Sequence, residues 1–241
     1  RASHENSSFT VTDNEYPNFL KIWHYHPELE LVHVKKSTGK RFIGDSIDKF
    51  EEGEVILIGQ NLPHMWLNAD EYFAENSTLI ARAISIHFKY DFLGSEFLKA
   101  PEMRSISELI DRAAFGIRFI DLDIKHRNTL DSLLHLKGFQ RTIKFIELLN
   151  VLAIHKDYKL LSSEGFVNSF GKTEHKKMDK IHEFIFKNFN TPIQSKDVAK
   201  VANMNTSSFS RFFKRTHRKT FTRYLNEIRV GYGCKLLLEE N

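Results

Sequence analysis

The sequence predicts an α+β protein of two domains, a β-rich N-terminal domain with flanking helices followed by an all-α domain. Three observations lead to this fold class. Short apolar segments separated by glycine and proline fill residues 19–88, helical periodicity replaces them afterwards, and positive charge gathers in the last quarter of the chain. At 241 residues and 41% hydrophobic content, the chain can bury one large core or two ordinary ones.

The first of these regions, residues 19–88, predicts an antiparallel barrel or sandwich. Its β-like segments are LKIWHYH, LELVHV, KRFIG, VILIG and LIARAISIHF. The residues that separate them are glycines and prolines: Pro27, Gly39, Gly44, Gly53 and Pro63. Many short strands with this punctuation are typical of all-β barrels and sandwiches.

Helical patterns predominate after residue 88. SEFLKA and PEMRSISELIDRA have helical periodicity, FGIRFID predicts a returning strand, and two longer helices are predicted at about 123–136 and 139–155. The second long helix carries an apolar stripe, made of Phe139, Ile143, Ile146, Leu149, Leu152 and Ala153. Such a stripe can pack against the barrel, against the preceding helix or against the same helix of a second subunit.

Periodicity is lost between residues 156 and 175, where the segment KDYKLLSSEGFVNSFGKTEH collects Ser, Gly and Asn. We therefore predict a first domain over 1–157, a linker over 158–175 and a second domain over 176–241. Helical periodicity resumes in MDKIHEFIFKNF, and Thr220 can cap a last helix that carries Phe221 and Tyr224 on its apolar side.

Within the second domain, residues 194–214 predict two short helices joined by a tight turn. Ser195 is predicted as the N-cap of the first helix, Asn203 can take the left-handed conformation of the turn, and Asn205 or Thr206 can cap the second helix. The apolar back of the second helix consists of Phe209, Phe212 and Phe213. Its front consists of Thr206, Ser207, Ser210 and Arg211. This front suits the major groove of DNA, although any amphipathic pair of helices has a similar pattern.

The charge distribution separates the two domains. Residues 176–241 hold 14 of the 35 Lys and Arg and 6 of the 31 Asp and Glu, a formal net charge of +8. Residues 1–175 hold the other 21 and 25, a net charge of −4. A small basic domain is the electrostatic footprint of a polyanion binder, whereas an acidic domain repels DNA and suits another task.

The compartment is predicted to be the cytoplasm. The single cysteine, Cys234, excludes an intrachain disulfide and fits a reducing environment. No apolar run reaches the length of a membrane span, and no secretory signal is visible. We therefore expect no membrane partner.

Residues 194–238 resemble a known family. The elements A-x-x-A-x-M, S-F-S-R-F-F-K, K-T-F-x-x-Y-L-N-E-I-R and C-K-L-L look like the first half of the DNA-binding domain of AraC/XylS-type bacterial transcription regulators. The resemblance implies double-stranded DNA as a partner. It places base contacts at Thr206, Ser207, Ser210 and Arg211, and phosphate contacts at Lys214, Arg215, Arg218, Lys219 and Arg223.

The chain departs from this family in two ways. The family usually has glycine at the position of Arg218, so the turn after the recognition helix is expected to differ. The family also has a second helix-turn-helix after its connecting helix, which the sequence up to Asn241 does not include, so the helix-turn-helix domain reads as incomplete. With one reading head, we expect weak, salt-sensitive binding, at a Kd of about 10⁻⁴ to 10⁻⁶ M at physiological salt.

The first domain resembles a cupin barrel. His24-x-His26-x3-Glu30 matches the first cupin motif, and Gly53 with His64-x3-Asn68 matches parts of the second. Asn18, Gly59 and Asn61 replace a glycine, a proline and a glycine of those motifs, and these changes are expected to alter turns more than ligands.

The cupin resemblance implies an interior site with two alternative uses. His24, His26, Glu30 and His64 can hold Fe, Mn, Ni or Zn, or they can line an effector pocket for a sugar or another small polar molecule. We expect the effector pocket, with no cofactor and with Trp23 or Trp66 stacking on the ligand, although Trp66 can equally be a core residue. No partner can be named for His33 or His87 from the sequence, and both are expected to be satisfied core or surface histidines.

The sequence therefore predicts a cytoplasmic, homodimeric transcription regulator that is not an enzyme. A small molecule would bind in the cupin barrel, helices around 123–155 would form the dimer, and the helix-turn-helix would bind DNA. One alternative is a cupin metalloenzyme, a dioxygenase or isomerase, with an appended helical domain. Another is an interaction module whose helical domain does not contact DNA.

Overall fold

The computed structural model describes residues 7–20, 22, 24–44, 46–169, 178, 180–181, 184–185, 188–217, 219–226 and 229–230. The chain divides into two compact units, with the main division between Ser163 and Glu164. The structure is α+β, as predicted.

The first unit contains two antiparallel sheets. Its strands are β1 (Phe9–Tyr16), β2 (Leu29–Lys36), β3 (Gly39–Ile43), β4 (Ser46–Phe50), β5 (Val55–Ile58), β6 (His64–Asn68), β7 (Ala81–Phe88), β8 (Ile117–Phe119) and β9 (Tyr158–Leu160). Six of them form a sheet in the order β1-β7-β2-β5-β8-β9, and three form a second sheet in the order β4-β3-β6. The antiparallel β-rich architecture predicted for this region is confirmed.

Strand β2 is at the centre of the six-stranded sheet and is buried on both faces. Leu29 and Leu31 belong to the apolar core that the sheet shares with the helices. Because successive side chains of a strand point to opposite faces, Glu30 lies on the other face of the sheet. A carboxylate that is only 8% exposed therefore stands on a strand whose neighbouring residues are fully buried leucines.

Helices of the first unit cover the apolar face of the six-stranded sheet. They are α1 (Arg104–Arg112), α2 (Ile124–His135) and α3 (Gly138–Ile154). Phe145 of α3 stacks on Phe9 at a ring-centroid distance of 4.6 Å and meets Phe88 edge-on at 5.1 Å. This aromatic contact fixes α3 on strands β1 and β7.

The first unit buries only part of the predicted apolar stripe of α3. The residues of α3 that are buried are Phe145, Leu148, Leu149 and Leu152. Ile146 and Ala153 pack at the edge of this core, whereas Phe139 and Ile143 are 74% and 38% exposed. The N-terminal part of the stripe is therefore exposed in the single chain, and its packing against a second subunit stays a prediction.

Two further predictions differ from the structure. The segment 158–175, predicted as a linker, begins with strand β9, whose residues pair with β8, and continues with helix α4 (Glu164–Ser169). The sheet therefore extends three residues beyond the predicted end of the first domain; residues 170–177 lie outside the described residues. Residues 20–26 were predicted as a strand, but among the described residues there only His24 forms a β-bridge.

The second unit contains the predicted pair of helices, α5 (Ser195–Val201) and α6 (Thr206–His217). Asn203 has a φ of 55°, so the left-handed turn between them is confirmed. The N-cap of α5 is Gln194 rather than Ser195, because Asp197 Oδ2 accepts a 2.9 Å hydrogen bond from the Gln194 backbone N–H. Asn205 caps α6, since its Oδ1 accepts from the Ser208 N–H at 2.8 Å.

The core of the second unit is formed by the backs of these helices and by the segments on either side. Its fully buried residues include Met178, Ile181, Ile185, Val198, Phe209, Phe213 and Tyr224. Residues 221–226 are helical, and Thr220 Oγ1 accepts from the Arg223 N–H at 3.3 Å, as predicted for a cap. Ile228, Tyr232 and Leu236, predicted for the same apolar side, lie outside the described residues.

Arg229 connects two distant segments of the second unit. Its Nε donates to the carbonyl of Phe189 and its Nη2 to the carbonyl of Thr191, each at 2.7 Å. Hydrogen bonds from a charged donor to a carbonyl are among the stronger ones in proteins. Among the described residues of both units, no helix is long and apolar enough to cross a membrane.

Candidate functional site

A group of polar side chains, here called the histidine cluster, lies at the start of strands β2 and β6. It consists of His24, His26, Glu30, His64 and His87. Backbone hydrogen bonds place the first two residues: His24 and His64 exchange N–H···O bonds of 3.1 and 2.8 Å. The Asn61 N–H donates to the carbonyl of His26 at 2.8 Å. His24 and His26 are therefore held against β6 without forming a regular strand.

Asn61 has the backbone conformation that a glycine would supply. Its φ is 57°, in the left-handed region where asparagine is the most tolerated residue after glycine. This is the position at which the second cupin motif has glycine, so the substitution preserves the turn that leads into His64. Gly59 approaches the backbone of Ala113 so closely that a Cβ would lie 2.4 Å from the Ala113 carbonyl oxygen.

The side chains of four cluster residues converge. One ligand atom from each of His24, His26, Glu30 and His64 lies within 4.8 Å of the others. Glu30 Oε2 is 3.1 Å from His26 Nε2 and 3.1 Å from His64 Nε2. The four residues that the cupin resemblance assigns to one site therefore lie close together in the structure.

The electrostatics of the cluster depend on burial and on the imidazoles. Burial by itself would raise the pKa of Glu30, but the contacts with His26, His64 and His87 outweigh burial and hold that pKa well below its usual range. Burial would likewise lower the pKa of His26, but its hydrogen bond to Glu30 and the charge of Glu30 raise it. These two pKa directions favour an ionised Glu30 carboxylate beside a positively charged His26 imidazole.

The tautomers of two imidazoles can be assigned from their neighbours. His26 Nδ1 lies 3.0 Å from the Glu28 carbonyl, and His64 Nδ1 lies 2.8 Å from the Leu62 carbonyl. A carbonyl oxygen only accepts, so both Nδ1 atoms carry a proton. If the rings are neutral, the Nε2 lone pairs face the negative Glu30 carboxylate, which is repulsive. A bound cation or protons on the Nε2 atoms would remove this repulsion.

The same arrangement tests whether the residues present fit a metal ion. The His64 side chain is buried, and its Nε2, although close to Glu30, makes no hydrogen bond of acceptable geometry. Backbone carbonyls that hold Nδ1–H and leave Nε2 for a metal are the usual outer contacts of a ligand histidine. Three imidazoles and one carboxylate also suit Fe, Mn, Ni or Zn. The donor set therefore fits a divalent cation.

His87 was missed as a member of the cluster. Its Nε2 is 3.4 Å from Glu30 Oε1, and its ring centroid is 5.1 Å from that of His26. Strands β2 and β7 pair so that Glu30 lies directly opposite His87. No partner could be named for His87 from the sequence, because the pairing of two strands 57 residues apart cannot be read from local pattern.

Trp66 lies beside the cluster, and Trp23 lies outside the described residues. The Trp66 ring is buried and meets His64 edge-on at 5.6 Å. Its indole N–H is buried and has no hydrogen-bond acceptor in the part of the chain that the structure describes. Trp66 is thus a core residue with an unused donor near His64.

The other candidate site is the front of α6. Phe209, Phe212 and Phe213 are buried, as predicted for the back of this helix. The four residues predicted to contact bases are all exposed, namely Thr206, Ser207, Ser210 and Arg211. A helix held by an aromatic core thus presents three hydroxyls and a guanidinium to solvent.

The residues predicted to contact phosphates border this front. Lys214, Arg215 and Arg223 are exposed and Lys219 is half-buried. The Arg215 guanidinium carbon lies 5.8 Å from the centre of the Phe212 ring. Arg218 lies outside the described residues, so the expected change in the turn after the recognition helix stays a prediction.

The chain was compared with protein-family models, curated proteins and solved structures. No protein-family model matches the sequence, and none of the curated proteins searched matches it. Similar solved structures include a regulator of the AraC family with a cupin-like N-terminal domain and proteins described as cupin barrels or cupin-like.

The regulator is ToxT from Vibrio cholerae. One ToxT structure is 11% identical, with a TM-score of 0.45, over 95% of this chain and 84% of that chain. ToxT with a bound unsaturated fatty acid is 13% identical, with a TM-score of 0.43, over 100% and 84%. A cupin-like protein from Thermotoga maritima is 20% identical, with a TM-score of 0.29, over 42% and 75%. At these identities and TM-scores the matches carry no argument about this chain, and its ligands are argued from its own residues.

Proposed function

We propose that this chain is a transcription regulator that binds DNA through α6 and responds to a small molecule bound beside the histidine cluster. The observation that carries the DNA-binding half is the division of α6 into a buried aromatic back and an exposed front of Thr206, Ser207, Ser210 and Arg211. A helix-turn-helix needs a recognition helix with this division, since one face is fixed in the domain and the other reads base edges.

Each front residue has a role under this proposal. Arg211 can donate two hydrogen bonds to O6 and N7 of one guanine, whereas the hydroxyls of Thr206, Ser207 and Ser210 can accept or donate to several bases. Lys214, Arg215, Lys219 and Arg223 would contact phosphates and supply affinity without sequence information. Arg218 is proposed for the same role on the basis of the family resemblance.

Selection from a randomised duplex library, using the full chain, tests DNA reading directly. We expect an enriched sequence that contains a guanine contacted by Arg211. Arg211→Ala should lose preference at that base pair, at a cost of about 1–3 kcal/mol, and leave the others unchanged. Arg211→Lys is the matched control, since it keeps the charge and loses the two-bond geometry. Absence of any enriched sequence would contradict the proposal.

The sensing half rests on the interior of the first unit. Glu30 and His64 of the cluster are buried, the unused Trp66 N–H is buried beside His64, and a bound molecule with an oxygen acceptor would satisfy the indole donor. A sugar or another small oxygen-rich molecule has this chemistry. Regulation would require the molecule to bind one arrangement of the protein more tightly than another.

We also propose that the protein is a homodimer that associates through α2 and α3. Phe139 and Ile143 are one turn apart on α3 and form an exposed apolar pair outside the core. Sedimentation should give a dimer for the wild type and a monomer for Phe139→Glu. Lys144→Glu on the same helix is the charge control, and a Phe139→Glu dimer would refute this surface.

The second candidate function is a metalloenzyme in the first unit. It is favoured by the convergence of four ligand atoms within 4.8 Å. A divalent cation held by His24, His26, Glu30 and His64 would supply Lewis-acid chemistry to a substrate in the interior. Metal analysis with His26→Ala separates the two: loss of metal together with loss of a turnover supports an enzyme, whereas loss of effector response without any turnover supports a regulator.

A further inference from the structure

The Glu30 carboxylate contacts different imidazoles through its two oxygens. Oε2 lies 3.1 Å from the Nε2 atoms of both His26 and His64, whereas Oε1 lies 3.4 Å from Nε2 of His87. The carboxylate is therefore approached from two sides, by two histidines that converge with it and by one that does not.

His87 is placed differently from the converging histidines. It stands on β7 directly opposite Glu30, whereas His64 begins β6 and His26 lies between the strands. His24, His26, Glu30 and His64 each contribute an atom to the group that fits one ion, and His87 is not a member of that group. Its Nε2 lies 3.4 Å from Glu30 Oε1, the oxygen that the two converging Nε2 atoms do not approach.

A cation bound by this group would take the place of the contact between Glu30 Oε2 and the two Nε2 atoms. Oε1 would then be buried and would need its own donor, since an unsatisfied buried polar atom is costly. The His87 Nε2–H can donate a hydrogen bond to Oε1. A carboxylate held in this way binds an ion through its other oxygen, Oε2. Outer contacts of this type hold metal ligands in orientation.

We propose that His87 is a positioning residue of a divalent-cation site, which holds Glu30 so that only Oε2 faces an ion ligated by His24, His26 and His64. His87 does not ligate the ion. The inference concerns the metal chemistry of the first unit and does not depend on DNA binding by α6, so either can fail without the other.

Titration of the metal-free full chain with Co²⁺ tests the proposal by calorimetry and by visible absorption. The wild type should bind one Co²⁺, and Glu30→Gln should bind far more weakly. His87→Leu should bind about 10- to 100-fold more weakly than the wild type. Its absorption should also change in intensity, because a Glu30 free to turn can bind through both oxygens and raise the coordination number.

His87→Gln provides the matched control, since its side-chain amide keeps an N–H donor of similar reach. We expect its Co²⁺ affinity and spectrum to lie closer to those of the wild type than to those of His87→Leu. Circular dichroism of each metal-free protein identifies any variant that does not fold, and His87→Gln decides the matter if His87→Leu is such a variant.

Three results would overturn the proposal. One is a wild type that binds Co²⁺ no better than Glu30→Gln. Another is His87→Leu with the affinity and spectrum of the wild type. The third is equal weakening by His87→Leu and a folded His87→Gln, since the donor would then not be the cause.

Discussion

The histidine cluster and the front of α6 are both sets of polar side chains carried on apolar elements, but they face opposite environments. Glu30 and His64 are buried and contact each other, whereas Ser210 and Arg211 are exposed to water. Inside the protein, an unpaired polar group costs about 1–3 kcal/mol, so the cluster must arrange its own contacts. On α6, water satisfies the polar groups until a partner replaces it. The fold thus supplies the partners of the polar groups in the interior site, whereas a ligand supplies the partners of the polar groups on the α6 front.

The largest expected effect comes from the back of α6, on which its front depends. Phe213 is fully buried and contacts Phe209, Phe221 and Tyr224. Phe213→Ala should therefore lower the free energy of unfolding of the second unit by about 3–5 kcal/mol, measured by urea denaturation followed by circular dichroism. Ser210→Ala is the control, with an expected change within about 0.5 kcal/mol. A small loss in Phe213→Ala would show that the aromatic back does not hold the helix.

The next effect concerns a buried polar group outside the cluster. His33 lies on β2 like Glu30, but on the face toward α2, where its Nδ1 is 3.9 Å from Asp131 Oδ1 and makes no hydrogen bond. Burial, with the charges of Lys35 and Arg127, lowers the pKa of His33 to about 4, although Asp131 acts in the opposite direction.

This pKa predicts a loss of stability in acid. The unfolded chain takes up the His33 proton below its ordinary pKa of about 6.5, whereas the folded chain resists it down to about 4. The free energy of unfolding should therefore fall as pH decreases from about 6.5 to 4, by about 3 kcal/mol from this group. Urea unfolding across that range should show less pH dependence in His33→Gln than in the wild type. Equal slopes in the two proteins would contradict the prediction.

The smallest effect is expected at the edge of the α6 front. Lys214→Ala should weaken DNA binding equally for all sequences and reduce the slope of log K against log salt by about 1, measured by fluorescence anisotropy. Lys144→Ala on α3 removes a lysine that pairs with Glu147 at 3.0 Å, and should leave the slope unchanged. If both variants changed the slope alike, net charge rather than the α6 front would be responsible.

The sequence predicted the helices and the inner strands better than strands at the edges of the sheets. Strands β2, β5 and β7, and helices α2, α5 and α6, agree with the predicted segments to within a few residues, because their apolar faces are periodic. The strands that were missed, β1, β4 and β9, are all at the ends of their sheets. Strands at an edge carry more polar residues, so their pattern is weak.

The candidate sites differ in the same way. The front of α6 was readable because helical spacing places its four residues on one face without any knowledge of the fold. His24, His26, Glu30 and His64 came from a resemblance, and the structure brings them together. His87 required the register of β2 against β7, which no local pattern contains. Its contact with Glu30 could have been found only once those two strands were paired.

The hydrogen bonds of Arg229 have a consequence for how the second unit folds. They join residues 40 and 38 positions apart in the chain, and both helices of the α5–α6 pair lie inside that loop. Closing a loop of this length costs roughly 3 kcal/mol of chain entropy, which many contacts must offset together. The helix pair and its two flanking segments are therefore expected to form in one cooperative step, and a fragment that ends before Arg229 would lack the contact that closes the loop.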